Sequence, residues 1–531
     1  MRNQSETVQE SSDRRNTLYL FLVFAVAFAI RLIHLNSYTS YPSFDIPLGG
    51  HAAYVKTAFK ILDEDILGGT EIFFDNSPIY SYILAGMFKT FGIDFYAVRL
   101  VQILIGSINC CLIALIARHY FGKTAALVSG GIATLYGPFI FYDAEIIVLS
   151  WVVFFCLVSI LIIMRDEQAG AKKMCLAGFF VGAAIMGRPN MVLFPALLAL
   201  YFLFGKNGLK VAHRVRSYAW FCIGVFIMPG LFMARNYAVS GEVLLLNPSG
   251  GHNFYFGHHK GASPTFNEEL RFTGAILLKY KEKAEADLKR PLSSKEVSGY
   301  WYKKGLRFII ENPHEELKLM LKKTQFFFND VEMPTYFNYY FNRNYSAVLK
   351  HPVLTFGLVF PLSVLGFAVT LRKSRELMVL HLFFLTSFLS VLIIFVISRL
   401  RIPAIPIFII LAAVGVLAVI GWCKERAAKP LVLSGILIAL LFWITFTPLA
   451  QLNYADPYNK LGVVYWYKGK IPEAERSFLK ALEFRPDFEY PLLNLVKMFS
   501  QQKNIEKETK YREMHNTWKQ RDGLENGKKA V

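Results

Sequence analysis

Residues 18–36, LYLFLVFAVAFAIRLIHLN, form an almost unbroken apolar run of the length that a membrane-spanning helix needs. The run follows a polar N-terminal segment that carries Arg14 and Arg15, and no clear signal-peptidase site follows it. We therefore interpret 18–36 as a spanning helix and not as a cleaved signal peptide.

Similar apolar runs recur along the chain, whose 531 residues are 54% hydrophobic and only 18% charged, with a mean hydropathy of +0.36. This composition excludes an ordinary soluble protein and predicts an all-α, polytopic membrane helix bundle. The segment 79–92 is apolar but short, and is expected to lie at the interface or to lengthen the next helix. The eleven candidate spans are 18–36, 97–117, 124–142, 146–164, 174–188, 190–205, 218–234, 353–371, 377–397, 402–422 and 430–448.

The net charge of +19 does not indicate nucleic-acid binding, because the basic residues gather in short connections between apolar runs. Such a bias marks the cytoplasmic side of a membrane and places the N-terminus inside, with the protein in the plasma (inner) membrane. The expected organisation is a cytoplasmic N-terminus (1–17), a membrane core (18–234) with a first external loop (37–78), a large extracytoplasmic loop (235–352), C-terminal membrane helices (353–448), a repeat region (455–522) and a tail (523–531).

The six cysteines lie in apolar segments or at their ends, which argues against a disulfide framework or a zinc site. No cofactor is predicted, and a requirement for a divalent metal is left open.

The predicted outer face carries few charges outside the large loop, and these come from four separate connections. Charges at membrane depth are costly, so they tend to face a cavity or a partner. For any one arginine, contact with lipid headgroups is the simpler explanation, but convergence from four connections favours a site. The candidates are Asp45, His51, Asp143, Glu145, Arg188, Arg399 and Arg401.

The large loop contains two helix starts. Ser293 and Glu296 match a capping box, and Asn312-Pro313 is a typical start for a helix over 313–328. Before them, the segment 247–265 is rich in Gly, His and aromatic residues. Its histidines match no metal-site spacing, so we interpret His252, Asn253 and Tyr255 as part of a substrate-facing polar loop near sugar or headgroups.

Residues 455–488 fit the tetratricopeptide pattern, in which small residues stand where two helices cross and a proline follows the second helix. A following unit, 489–522, has lost the alanines and is expected to cap the first. Packing on the membrane domain or docking of a protein partner is the expected role. The matching positions are Leu461, Gly462, Tyr465, Ala474, Phe478, Ala481 and Pro486.

The order of these features resembles the GT-C class of membrane glycosyltransferases, of the family 39 type that includes protein mannosyltransferases and aminoarabinose transferases. The resemblance covers almost the whole chain. Its pieces are NSPIYSYILAGMFKTFG (76–92), LYGPFIFYDAEIIV (135–148), MGRPNM (186–191), SGGHNFYFGHHKGA (249–262), VEMP (331–334) and SRLRIPAIPIFIILAA (398–413).

The resemblance implies transfer of a sugar from a polyprenyl-phosphate carrier to a lipid or protein acceptor on the outer face. It assigns Asp143 or Glu145 as an acid of the second external loop, and Arg188, Arg399 and Arg401 to the carrier phosphate. The family places an acid four residues before a tyrosine of the first loop, but Gly50 stands there before Tyr54. Either Asp45 or His51 serves instead, with Asp45 preferred, or the protein has lost the usual chemistry.

The residue types suit this reaction without the resemblance. A carboxylate can take the proton of an acceptor hydroxyl, and guanidinium groups can stabilise a departing phosphate. One carboxylate and no covalent intermediate predict inversion at the anomeric carbon. The alternatives are a lipid-linked glycan polymerase or ligase, a transporter or lipid flippase, and a non-catalytic scaffold that uses its repeats.

Overall fold

The computed structural model describes residues 2–63, 66–68, 77–165, 170–205, 210–245, 248–266, 276–334 and 338–529, and of residues 2–17, 205, 276–278 and 521–529 it describes the backbone only. Within these ranges the chain is helical, and its β-structure consists of two isolated bridges, Tyr136 to Leu354 and Thr265 to Val396. The predicted all-α class is therefore confirmed for the described residues.

The N-terminal half contains the helices that carry most of the candidate site. They are α1 (Arg2–Tyr38), α2 (Gly50–Asp63), α3 (Pro78–Phe91), α4 (Phe95–Leu135), α5 (Gly137–Asp143), α6 (Leu149–Arg165), α7 (Ala171–Gly187), α8 (Leu193–Leu200) and α9 (Val211–Ser240). A 3-10 turn, Pro189–Val192, and a π-helical turn, Tyr201–Gly205, flank α8.

The rest of the chain supplies the extramembrane helices, the last spans and the C-terminal unit. These are α10 (Gly250–Gly257), α11 (Ile276–Leu288), α12 (Ser294–Glu311), α13 (Pro313–Phe327), α14 (Tyr339–Asn342), α15 (Phe356–Thr370), α16 (Met378–Leu392), α17 (Ser398–Arg401), α18 (Ile405–Lys424), α19 (Ala428–Phe446), α20 (Ala455–Tyr467), α21 (Ile471–Phe484), α22 (Glu489–Gln501) and α23 (Ile505–Lys529).

By length and apolar composition, six helices in the described part of the chain can cross a membrane, against eleven predicted segments. Three shorter apolar helices, Leu149–Arg165, Pro189–Phe204 and Met378–Leu392, account for further predicted segments. The predicted segments 97–117 and 124–142 share one long element. The polytopic character is confirmed, whereas the number of spans stays a prediction.

That long element, α4, reverses its direction at Gly122, whose backbone leaves the helical region at φ +83°. A positive φ costs glycine little and other residues more. The side chain of Ala114 lies 3.4 Å from the position that a Cβ on Gly130 would take, so the two halves of α4 lie side by side. The reversal falls between the two helices that the sequence predicts there.

Close crossings in the bundle depend on small residues. A Cβ on Gly178 of α7 would lie 2.0 Å from the carbonyl oxygen of Phe221 in α9, and one on Gly224 of α9 would lie 2.0 Å from that of Cys175. Backbone approach of this kind is typical of membrane helix pairs, which gain stability from van der Waals packing.

The two predicted helix starts of the large loop are present. Ser293 and Glu296 form both hydrogen bonds of a capping box at the start of α12, and α13 begins at Pro313. These pairings satisfy backbone groups that the first turn of a helix leaves without partners. The short α10 packs against α12.

The C-terminal region consists of two antiparallel helix pairs, α20 with α21 and α22 with α23. A Cβ on Gly462 would lie 2.6 Å from the Phe478 ring, so the pair α20–α21 needs glycine at its crossing, as predicted. Ala474 and Ala481 are fully buried in the same pair. The last helix continues past the predicted boundary at residue 522 and ends at Lys529.

Candidate active site

The connection between α5 and α6 places Glu145 in a buried polar pocket. Its Oε1 accepts a hydrogen bond from the Tyr38 hydroxyl at 2.6 Å and one from Asn342 Nδ2 at 3.3 Å. The amide of Gln102 donates to the Glu145 carbonyl oxygen, which holds the backbone of this connection. The carboxylate is therefore fixed by residues from three distant parts of the chain.

His51, at the start of α2, stands beside this carboxylate. Its Nε2 lies 3.3 Å from Glu145 Oε2. Arg99 of α4 lies nearby, donates from Nε to the Ala144 carbonyl oxygen at 2.9 Å, and stacks over the Phe44 ring at 4.0 Å. Because its positive charge acts on Glu145, Arg99 favours the ionised carboxylate.

Burial governs the protonation of both groups. Burial raises the pKa of Glu145 to about 7, while the Tyr38 hydrogen bond and the Arg99 charge partly offset that rise. Burial and the charges of Arg99 and Lys460 hold the pKa of His51 well below its usual value. Near neutral pH the histidine is therefore neutral, and the carboxylate is poised to exchange a proton.

The pocket around this pair is lined by polar and aromatic side chains, and its wall includes the first turn of α20. The lining residues are Tyr38, Tyr41, Ser43, Leu48, His51, Arg99, Glu145, Asn338, Asn342, Asp456, Pro457 and Lys460. Such a concave site with convergent polar groups and a carboxylate of raised pKa is the usual form of a catalytic centre.

Asp143 lies at the C-terminal end of α5, and its carboxylate contacts different residues from those around Glu145. Its Oδ2 pairs with Arg31 Nε at 2.8 Å, and its Oδ1 accepts a hydrogen bond from the Ser150 hydroxyl. A Cβ on Gly106 would lie 2.1 Å from Asp143 Oδ2, so the absence of a side chain there makes room for the acid. The carboxylate ties α1 to α6 and does not line the pocket that contains Glu145.

Asp45, the acid preferred from the sequence, lies in the exposed turn after Phe44. It is within electrostatic range of Arg99 but does not line the pocket. Among the sequence candidates, the structure thus brings His51 and Glu145 together and leaves Asp45 at the surface beside them.

Arg188 and Arg399 are half-buried and close enough for their charges to repel each other. Tyr142 lies within electrostatic range of Arg399 and also of Glu145. Two guanidinium groups within electrostatic range of each other favour a nearby anionic ligand.

Arg401, the third predicted phosphate ligand, is instead paired with buried groups of the protein. Its NH2 group pairs with Glu332 Oε1 at 2.8 Å, its NH1 group donates to the Phe327 carbonyl oxygen at 3.0 Å, and it stacks over the Phe356 ring at 4.0 Å. The residue is 3% exposed. Its contacts anchor α17 to the end of α13.

The predicted substrate loop packs among aromatic residues of the large loop. His252 stacks on Tyr280 at a centroid distance of 5.2 Å, and Tyr255 contacts Trp301 at 4.7 Å. Asn253 stands between them on α10, half-buried. None of the three lines the pocket around Glu145.

Sequence reasoning missed the pocket residues Tyr38, Asn342, Asp456 and Lys460. Tyr38 is the last residue of α1 and directly precedes the first loop, which carries Asp45, so its position was a usable signal. Asn342 and the α20 residues lie roughly two to three hundred residues beyond Glu145 in the sequence, and nothing in their spacing indicates a shared pocket.

One family model matches part of the chain. Residues 75–232 match the model of the family described as dolichyl-phosphate-mannose-protein mannosyltransferase. No curated protein matches the sequence. The matched segment contains Arg99, Asp143, Glu145 and Arg188 but not His51 or Arg399.

Two solved structures are similar in outline. The oligosaccharyltransferase of Archaeoglobus fulgidus, tethered to an acceptor peptide, has 13% sequence identity and a TM-score of 0.41. The match covers 84% of this chain. This chain spans 57% of the length of that protein. ArnT of Cupriavidus metallidurans bound to undecaprenyl phosphate has 12% identity and a TM-score of 0.42, covering 91% of this chain and 80% of ArnT.

The apolar helices are those of a multi-pass membrane protein, and residues 75–232 resemble the dolichyl-phosphate-mannose-protein mannosyltransferase family. This match supports the glycosyltransferase class predicted from the sequence for the segment that it covers.

Proposed function

We propose that the protein transfers a sugar from a polyprenyl-phosphate donor to an acceptor on the extracytoplasmic side of the membrane, with Glu145 as the general base. The observation that carries this proposal is the environment of Glu145: a buried carboxylate with a pKa of about 7 that borders a polar pocket. A general base works best when its pKa is near the working pH.

In the proposed step, the acceptor oxygen attacks the anomeric carbon, and its proton passes to a Glu145 carboxylate oxygen. The bond between that carbon and the phosphate oxygen breaks, and the polyprenyl phosphate leaves with the bonding electrons. Direct displacement of this kind inverts the anomeric configuration. His51 and Tyr38 hold the carboxylate in position.

The donor phosphate is assigned to Arg188 and Arg399. These two guanidinium groups lie near each other and near Tyr142, next to the Glu145 pocket. Fixed positive groups stabilise the charge that grows on the departing phosphate without any proton transfer. The sequence assignment of Arg401 to this role loses support because that residue pairs with Glu332.

The C-terminal helix pairs are proposed to be a tetratricopeptide region. The crossing of α20 and α21 at Gly462 and the buried Ala474 and Ala481 support this assignment. Such a region can dock a protein partner on α21–α23. Binding assays of the protein with membrane extracts would identify such a partner.

The test is sugar transfer in liposomes that contain radiolabelled undecaprenyl-phosphate sugars and membrane extract as acceptor. Glu145→Gln keeps the size of the side chain and removes its basicity, so transfer should fall by about two orders of magnitude or more. Asp45→Asn is the matched control and should retain most activity. Loss of transfer in Asp45→Asn with full activity in Glu145→Gln would reverse the assignment of the base.

A further inference from the structure

The first turn of the C-terminal helical unit forms part of the pocket that contains Glu145. Asp456, Pro457 and Lys460 line the pocket together with residues of the membrane core. All three belong to α20, which lies outside the segment that matches the glycosyltransferase family. A region whose expected role is packing or partner docking thus borders the catalytic carboxylate.

Aromatic contacts seat α20 in this position. The Tyr458 ring meets the Phe341 ring edge to face at 5.2 Å, and the Tyr454 ring lies 6.3 Å from Phe341. Phe341 immediately precedes Asn342, whose amide donates to Glu145. The contacts that place α20 and the hydrogen bond that places the carboxylate therefore share the short helix α14.

The charged groups of α20 are largely buried in the wall. Lys460 Nζ pairs with Asp456 Oδ2 at 2.7 Å, with the two side chains 20% and 7% exposed. Removing two charges from water is costly, and pairing alone repays that cost poorly. Because the pair lines the pocket that contains Glu145, its carboxylate and ammonium groups are placed to exchange hydrogen bonds with a ligand there.

The donor and the acceptor are expected to enter from different sides. Arg188 and Arg399, assigned to the donor phosphate, do not line this pocket. The volume between Glu145 and α20 is therefore left for the acceptor. Its walls offer carboxylate, ammonium, amide and phenol groups, which together donate and accept hydrogen bonds in the manner that sugar hydroxyls require.

We infer that α20 forms the acceptor side of the catalytic site and that Asp456 and Lys460 are specificity-determining residues for a hydroxyl-rich, carbohydrate acceptor. This inference rests on the proposed function. It makes the C-terminal unit part of the enzyme's substrate recognition, in addition to any role in docking a partner.

The experiment uses the full-length protein in liposomes with a radiolabelled undecaprenyl-phosphate sugar and two acceptor probes, a series of short oligosaccharides and a serine-containing peptide. The variants are Lys460→Met, Lys460→Arg and Asp456→Asn. Lys480→Met is the matched control, because Lys480 forms an exposed ion pair with Glu483 on α21, away from the pocket.

With oligosaccharides, Lys460→Met and Asp456→Asn should lower kcat/KM for the acceptor at least tenfold. The KM for the donor should stay unchanged, and Lys460→Arg should recover part of the loss. Lys480→Met should behave as the wild type. A lower kcat/KM for the acceptor with an unchanged KM for the donor distinguishes a defect in acceptor recognition from a general loss of folding.

Unchanged acceptor constants in both α20 variants would overturn the inference, and so would a parallel rise of the donor KM with a loss of thermal stability. Transfer by the wild type to the peptide but not to any oligosaccharide would overturn the carbohydrate assignment. Absence of transfer by the wild type to both probes and to the membrane extract would overturn the proposed function itself, which is a separate outcome from these.

Discussion

His51 Nε2 lies 3.3 Å from Glu145 Oε2, although the two residues stand 94 positions apart and on different helices or connections. Burial and two nearby positive charges hold the pKa of the histidine well below its usual value, while burial raises that of the acid to about 7. The pair therefore combines a neutral imidazole with a carboxylate that titrates near neutrality.

The transfer rate should depend on pH through Glu145. Below pH 7 the carboxylate is mostly protonated and cannot accept a proton, so kcat should rise as pH increases through about 7 and then level off. His51 stays neutral over this range and adds no second step. The measurement is a profile of kcat between pH 5 and pH 9 in liposomes. A rate that is flat across that range would contradict Glu145 as the base.

Replacement of His51 should weaken catalysis without removing it. His51→Phe keeps the ring volume but removes the polar contact with Glu145, so we expect kcat to fall by about tenfold to a hundredfold with little change in the donor KM. Tyr54→Phe, in the same helix, is the control. Equal effects of the two substitutions would argue that α2 acts only through packing.

The two phosphate arginines should differ from the third in their effect. Arg188→Ala and Arg399→Ala should raise the donor KM and lower kcat because the departing phosphate loses a positive partner. Arg401→Ala should instead destabilise the fold by about 3–5 kcal/mol, since it leaves Glu332 buried and unpaired. Donor kinetics and thermal melting in detergent distinguish these effects. A raised donor KM with normal melting in Arg401→Ala would return that residue to the phosphate site.

The cavity at Gly106 should tolerate no side chain. Gly106→Ala would bring a Cβ within 2.1 Å of Asp143 Oδ2 and disturb its ion pair with Arg31, so the melting temperature should fall and activity should fall with it. Gly86→Ala in α3, where a Cβ meets nothing within 4 Å, is the control and should be nearly neutral. Normal melting of Gly106→Ala would contradict the tight packing of Asp143.

Much of the fold could be predicted from the sequence because it depends on local patterns. The length of apolar runs located the spans, and Ser293 with Glu296 located a helix start. The first loop also gave a local signal: Gly50 stands four residues before Tyr54, at the position where the resemblance places an acid. Such signals work because each involves neighbours along the chain.

The site could be predicted only in part, since its decisive pairings join distant segments. Arg401 looked like a phosphate ligand until the structure placed Glu332 beside it, 69 positions away. Asp45 was the preferred acid from the sequence, whereas the structure buries Glu145 beside His51 and leaves Asp45 exposed. Charge and spacing along the chain carry no information on either point, because both depend on how the helices pack.

The reversal at Gly122 fixes on which side of the membrane the later segments emerge. A straight helix of the length of α4 would extend about 60 Å, twice the thickness of a hydrocarbon core of about 30 Å. Since the chain turns back there, Glu145 returns to the level of Arg99 and His51. The turn at this one glycine thereby keeps both residues on one side of the membrane: without it, Glu145 and His51 would face opposite compartments.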